Sequence, residues 1–289
     1  MLSALLKSMR PKQWTKNGVI FAALIFDGQL FHLPALSVTL AGFILLCLIS
    51  GAVYIINDLV DVEKDKLHPK KKFRPIAAGE ISKKAATTAA ILLPLIALPL
   101  SFLLNPIFGL LMTLYLVLQL AYSFKLKRLV IIDVMTIAAG FVIRVGAGVS
   151  LIEVARFSPW LYVCLTLLML FMGFGKRRQE LLLLQNGGQN TRAILSDYSL
   201  KFLDDMILIV AAATIMSYSL YTFSAPNLPG NHWMMLTIPF VLYGIFRYLY
   251  TIHILNGSGD PSEVLLQDRP LLITVVLWGL SAVAILYWF

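Results

Sequence analysis

Residues 36–65 read LSVTLAGFILLCLISGAVYIINDLVDVEKD. The stretch opens as an unbroken apolar run and closes on a cluster of acids. Its apolar part is as long as the roughly 20 residues an α-helix needs to cross a bilayer. A membrane span is therefore expected over 36–61. Asn57, Asp61 and Asp65 recur every four residues at its end, and such residues lie one above another on a helix. Asp58 sits one position off that stripe. Oxygen-bearing side chains gathered at one helix end repel one another unless a cation sits among them.

The rest of the chain repeats the apolar theme. Of its 289 residues, 59% are hydrophobic and only 13% are charged, which leaves too little polar surface for a soluble protein of this length. Apolar runs predict nine spans, near 17–32, 36–61, 83–104, 106–123, 130–153, 159–182, 201–223, 233–254 and 270–288. The expected class is an all-α polytopic membrane protein with one domain over 1–289 and no soluble module. Residues 1–16 are basic and amphipathic. Their apolar run is too brief for a signal peptide, and they are expected along the membrane surface.

Numbering the connections alternately separates the charges. One side receives Lys7, Arg10, Lys12 and Lys16, the run from Lys64 to Lys84, Lys125, Lys127, Arg128, Lys176, Arg177, Arg178, Arg192, Lys201 and Arg269. The other receives little beyond Arg156. Cytoplasmic loops carry the Lys/Arg excess, so the N-terminus and the acidic cluster are expected to face the cytoplasm across a cell membrane. The net charge of +9 is then a topology signal and needs no nucleic-acid partner. Cys47 and Cys164 lie inside apolar runs and read as buried hydrophobes, and the four histidines are scattered.

Asn57, Asp58 and Asp61 still belong to the apolar span, where ionisable groups are costly and usually serve function. The segment that follows supplies Lys70, Lys71, Lys72 and Arg74. Carboxylate and amide oxygens suit Mg2+, which also takes substrate phosphates. Acids holding Mg2+ beside bases suit a diphosphate ligand. The plainer alternative is a helix that ends in water with mixed charges. In the fifth span, Asp133 and Arg144 are eleven residues apart, on one face but too distant to pair. Arg144 binds a lipid phosphate or pairs with a structural polar group. Asp197, Asp204 and Asp205 either order the inner loops or touch a ligand. The stretch 256–269 is a lid or a connector. Gly146 and Gly148 fit close helix packing.

NDLVDVEKD resembles the NDxxDxxxD motif of the UbiA superfamily of intramembrane prenyltransferases, and YSFKLKR (122–128) resembles its YSxxLKR segment. The resemblance implies a ring of helices around a cytoplasm-facing cavity. It also implies Mg2+ bound with a donor's diphosphate by Asn57, Asp58, Asp61 and Asp65. Of these, Asp58, Asp61 and Asp65 are the catalytic candidates. Family members carry a second acidic motif at the end of the sixth span. Here that end reads GFGKRRQEL, with Lys176, Arg177 and Arg178 where acids are expected and Glu180 the one acid. Lys176 and Glu180 share a helix face. Direct cationic contacts thus replace a second metal cluster, although Glu180 could complete a second metal site. The basic end suits a ligand with an additional phosphate.

RPKQWTKN (10–17), GKRRQEL and Asp268–Arg269 resemble the superfamily branch that moves phosphoribose. By that resemblance the donor is phosphoribosyl pyrophosphate, the acceptor is a polyprenyl phosphate, and the product is a lipid-linked pentose for arabinan synthesis. Lys12, Lys16, Asn17, Asn57, Arg74, Tyr122, Lys125, Lys176, Arg177, Arg178 and Glu180 are then the substrate-binding candidates. The alternatives are an ordinary prenyltransferase with an aromatic acceptor, or a carrier of anionic lipids or metabolites. The missing acids argue against the first. The second would need paired broken spans at the midplane, and none is evident. A homo-oligomer is compatible with all of these readings.

Overall fold

The computed structural model describes residues 2–68, 71–153, 158–186, 193–225, 228–255, 264–265 and 267–288. Lys70, Arg156, Arg192 and most of 256–269 lie outside the described residues. In chain order the helices are α1 (Leu2–Ser8), α2 (Ala22–Phe26), α3 (Leu33–Val60), α4 (Val62–Leu67), α5 (Lys83–Leu104), α6 (Pro106–Phe124), α7 (Ile132–Val149), α8 (Pro159–Gln185), α9 (Leu200–Ser224), α10 (Ile238–His253) and α11 (Arg269–Trp288). Short 310 segments join them, and no strand occurs among the described residues.

Seven helices among the described residues are long and apolar enough to cross a membrane: α3, α5, α6, α7, α9, Trp233–His253 (a 310 turn followed by α10) and α11. The chain is thus a multi-pass membrane protein. Two of the nine expected spans differ. Residues 17–32 do not form one helix. A 310 segment covers Pro11–Phe21, α2 adds five residues, and the chain then turns at Gly28, whose φ of +72° favours glycine. The span expected at 159–182 is α8, whose C-terminal part carries the Lys176–Arg178 charges.

The chain divides into two compact units, one of Met1–Ile25, Gln29–Phe124 and Ile143–Val154, the other of Phe26–Gly28, Lys125–Val142 and Ala155–Phe289. In the first, α3 packs against α5 and α6, and the 310 segment lies along α3. Leu46, Ile49, Phe108, Met112 and Ile20 form its centre. The contacts are close because glycines leave the space of a Cβ to a neighbour. A Cβ on Gly148 would lie 2.0 Å from the Ile20 carbonyl oxygen, and one on Gly51 would lie 2.8 Å from Met9. α1 packs on α3 and buries Ala4 and Met9. Ser82 caps α5 by accepting from the Ala85 N–H at 3.2 Å, and the Asn105 side chain caps α6 by accepting from Ile107 and Phe108. Pro94 and Pro99 inside α5 are tolerated as in other membrane helices. Ile91, Leu95 and Leu103 of α5 point outward, as lipid-facing residues do.

In the second unit α8 packs along α9, and α10 packs against α9 and α11. Phe171, Phe174, Leu203, Ile207 and Tyr248 lie at its core. Gly173 admits Val134, and Gly175 admits the Tyr248 hydroxyl, each closer than a Cβ would permit. Asp268 caps α11 by accepting from the Leu271 N–H at 2.9 Å, and it also accepts from Arg247 at 2.9 Å. Arg247 holds Asp268 below the usual carboxylate range.

Candidate active site

The acidic cluster arises where α3 ends. Asp61 has φ −96° and ψ 8°, which interrupts the helix for one residue before α4 resumes it. Backbone bonds from Asp61 to Asn57 and from Asp65 to Asp61, at 3.0 and 2.8 Å, carry the ladder across the break. Asp58 and Asp65 are therefore almost two turns apart on nearly one face. They are 2% and 3% exposed. Both accept from one guanidinium: Arg74 Nη1 lies 3.2 Å from Asp58 Oδ1 and 2.6 Å from Asp65 Oδ2. Arg10 Nη2 donates to the same Asp58 oxygen.

This arrangement corrects the expected stripe. Asp58 is half of the central pair rather than an outlier, because seven residues return to the same helix face as closely as four do. Asn57 and Asp61 are half-buried beside it. Among the described residues no three His, Cys, Asp or Glu side chains converge as a metal cluster. A cation nevertheless does sit between two buried carboxylates, and it is Arg74. The donors are hard oxygens and their charge calls for a positive partner, so the residues fit a divalent ion in that place. Outside the pair, Lys83 and Lys66 hold the exposed Glu63 below the usual carboxylate range.

Arg10 is the member of the cluster that sequence reasoning did not name as a site candidate. It adopts a left-handed conformation, φ 54°, where α1 gives way to the 310 segment, and its guanidinium lies 5.0 Å from the centre of the Tyr54 ring. Its signal was its place at the head of RPKQWTKN. Within that segment Lys12 is exposed, Lys16 is half-buried and Asn17 is buried. Asn17 donates to Ser50 Oγ at 3.0 Å and accepts from Arg144 Nε at 3.1 Å, and Arg144 also donates to the Tyr115 hydroxyl at 2.8 Å. The structural reading of Arg144 is thus the one observed. Asn17 belongs to this buried network rather than to the acidic cluster, and it ties the 310 segment to α3 and α7. Tyr122 is half-buried in the last turn of α6, and Lys125 is exposed just beyond it.

In the second unit the three basic residues of α8 have different surroundings. Arg177 is 0% exposed. Its Nε lies 2.9 Å from Asp133 Oδ2, and its Nη1 pairs with Glu180. The Tyr198 hydroxyl donates to Asp133 Oδ1 at 2.7 Å and accepts from the Ile131 N–H at 2.7 Å. Ile131 has φ 69°, a costly conformation for a β-branched residue, and the tyrosine supports it there. Burial raises the Tyr198 pKa, so the phenol stays protonated as a donor. Arg178 is tied to Asp204 at 2.6 Å and to the Ile252 carbonyl at 3.0 Å. The expected phosphate contacts of Arg177 and Arg178 therefore meet a different geometry, in which both guanidiniums join helices. Through Arg178, Asp204 helps hold α8, α9 and α10 together. Glu180 pairs with Arg177, three residues before it. Lys176, like Arg178, is half-buried.

Residues 18–266 match the model of the UbiA prenyltransferase family. The chain belongs to the UbiA prenyltransferase family. It is 32% identical over 283 residues to the decaprenyl-phosphate phosphoribosyltransferase of Mycobacterium tuberculosis, covering 96% of this chain and 92% of that one. The enzyme of the same name from Corynebacterium glutamicum is 32% identical over 294 residues, covering 99% and 88%. The fold resembles that of a UbiA homolog from Archaeoglobus fulgidus bound to DMAPP and Mg2+, with a TM-score of 0.72, 19% identity and 98% of each chain covered. For a UbiA-family chain, the basic C-terminal part of α8 and the paired arginines on Asp58 and Asp65 are the features to be explained.

Proposed function

We propose that this protein transfers 5-phosphoribose from phosphoribosyl pyrophosphate to a polyprenyl phosphate and releases pyrophosphate. The observation that carries the proposal is the nearly full-length similarity to decaprenyl-phosphate phosphoribosyltransferases. The site chemistry supports it. Asn57, Asp58, Asp61 and Asp65 are the residues that would hold Mg2+, and bound there the ion would neutralise charge on the leaving pyrophosphate. Arg74 and Arg10 present forked donors suited to the same phosphate oxygens. Lys12, Lys16, Tyr122 and Lys125 remain candidates for phosphate or ribose contacts, and Lys176 for the 5-phosphate. Arg177, Arg178 and Glu180 act one step back, by fixing the end of α8 that carries Lys176.

In the reaction the bond from ribose C1 to the pyrophosphate oxygen breaks as C1 becomes oxocarbenium-like. A lipid phosphate oxygen bonds C1 from the opposite face, so the configuration inverts. A phosphate monoester is already a nucleophile at neutral pH, and the site needs no strong general base. The segregated Lys/Arg residues support a plasma-membrane location with the N-terminus and the site facing the cytoplasm.

The test uses purified protein in detergent with Mg2+ and a polyprenyl phosphate. One mixture receives phosphoribosyl pyrophosphate, the other a prenyl diphosphate and 4-hydroxybenzoate. Lipid-linked phosphoribose in the first mixture is the expected result. Prenylated aromatic product in the second, with nothing in the first, would overturn the proposal.

A further inference from the structure

Two cations from two different connecting segments converge on one buried carboxylate pair. Arg10 comes from the junction of α1 with the 310 segment, and Arg74 from the stretch after α4. Their side chains are 28% and 27% exposed, whereas Asp58 and Asp65 are nearly sealed. The arginines can therefore turn toward solvent, and the acids cannot. Asp58 Oδ1 accepts from both arginines, and Asp65 Oδ2 accepts from Arg74 at 2.6 Å. Mg2+ demands oxygen ligands at about 2.0–2.1 Å in near-octahedral order. One carboxylate oxygen cannot meet that demand and keep two guanidinium donors as well. Metal and arginines therefore compete for the same oxygens.

Charge decides the outcome. Asp58 and Asp65 balance the two arginines, and half-buried Asp61 adds one further negative charge. Mg2+ entering alone would still leave a net positive charge in a mostly buried site, which is unfavourable at low dielectric. Mg2+ entering with a diphosphate brings its own counter-charge, and the displaced guanidiniums gain phosphate oxygens as acceptors.

We propose that Arg74 and Arg10 stand in for the metal in the ligand-free protein, and pass to the diphosphate when Mg2+ and diphosphate bind together. Both are then substrate ligands, and metal binding is coupled to diphosphate binding. This inference rests on the reading of the site as a Mg2+–diphosphate site, and it is independent of which group the diphosphate carries.

The test needs neither sugar nor lipid. Mn2+, an EPR-visible analogue of Mg2+, is titrated into the full-length protein in detergent, and binding of labelled pyrophosphate with Mn2+ is measured separately by equilibrium dialysis. Wild type is expected to bind Mn2+ alone weakly. Arg74→Gln is expected to bind Mn2+ alone at least ~10-fold more tightly and Mn2+–pyrophosphate at least ~10-fold more weakly, because one charge is exchanged for the other. Arg74→Lys, which keeps the charge, should stay near wild type in the first measurement. The gain should vanish when Asp58→Asn is added to Arg74→Gln. Unchanged or weaker binding of Mn2+ alone, in an Arg74→Gln protein with wild-type thermal unfolding, would overturn the stand-in role. If Arg74→Gln does not fold, Arg10→Gln decides by the same titration. A protein that uses a different diphosphate donor would still pass, so failure here and failure of the phosphoribosyl reading are distinguishable.

Discussion

Arg177 is a charge held wholly inside the fold. Taking a guanidinium fully out of water is tolerated only where carboxylates receive it, and here Asp133 and Glu180 do so. Removing one member strands the other. Arg177→Met is expected to destabilise the protein by about 3–5 kcal/mol, and Asp133→Asn by a similar amount. The double variant should cost clearly less than the sum, because neither charge is then left alone. Denaturant unfolding in detergent measures all three, and strict additivity would show that the ion pair carries no coupling. Arg178 differs because it is only partly buried and shares its load with a backbone carbonyl. The adjacent cations of KRRQEL thus divide into a core residue, a helix tie and a half-exposed lysine.

At the scale of elements, the irregular 310 segment Pro11–Phe21 is held where a regular helix would not fit. It lies on α3 and reaches Gly148 of α7 so closely that the Ile20 carbonyl occupies the space of a Cβ. Gly148→Ala should therefore cost about 1–3 kcal/mol, since backbone and not a side-chain tip must move. Gly279→Ala in α11, with nothing within 4 Å of the added carbon, should be neutral or slightly stabilising. Thermal unfolding of the two variants gives the comparison, and equal effects would remove the packing argument. The same segment places Arg10 at its start and Asn17 along its length, so a loss at Gly148 is expected to reach both polar networks of the first unit.

At the scale of the whole molecule, the proposed topology rests on the asymmetric loops. It places the Asp58–Asp65 pair and Lys125, in the connection after α6, on one side and Asn231 on the other. Both positions are exposed. In intact cells, with Cys47 and Cys164 replaced, a membrane-impermeant maleimide should label Asn231→Cys and spare Lys125→Cys. The reverse pattern would invert the topology and put the diphosphate site outside.

The membrane class, seven of the nine span positions and the segregation of charge were legible in the sequence alone. Hydrophobicity and charge act locally and add along the chain, so runs of residues report them without reference to distant partners. The motif NDLVDVEKD likewise pointed to the family before any fold was known. Only the tertiary structure decided which acids pair, which base answers them and which cation is buried. Arg10 and Asp58 are 48 residues apart, Tyr198 and Asp133 are 65 apart, and Arg144 and Asn17 are 127 apart. Such contacts depend on where helices end and how closely glycines let them approach. The one-residue break at Asp61 shows the limit. The ladder continues across it, so Asp58 and Asp65 keep one face by seven-residue spacing, but only the fold showed that Arg74 answers both.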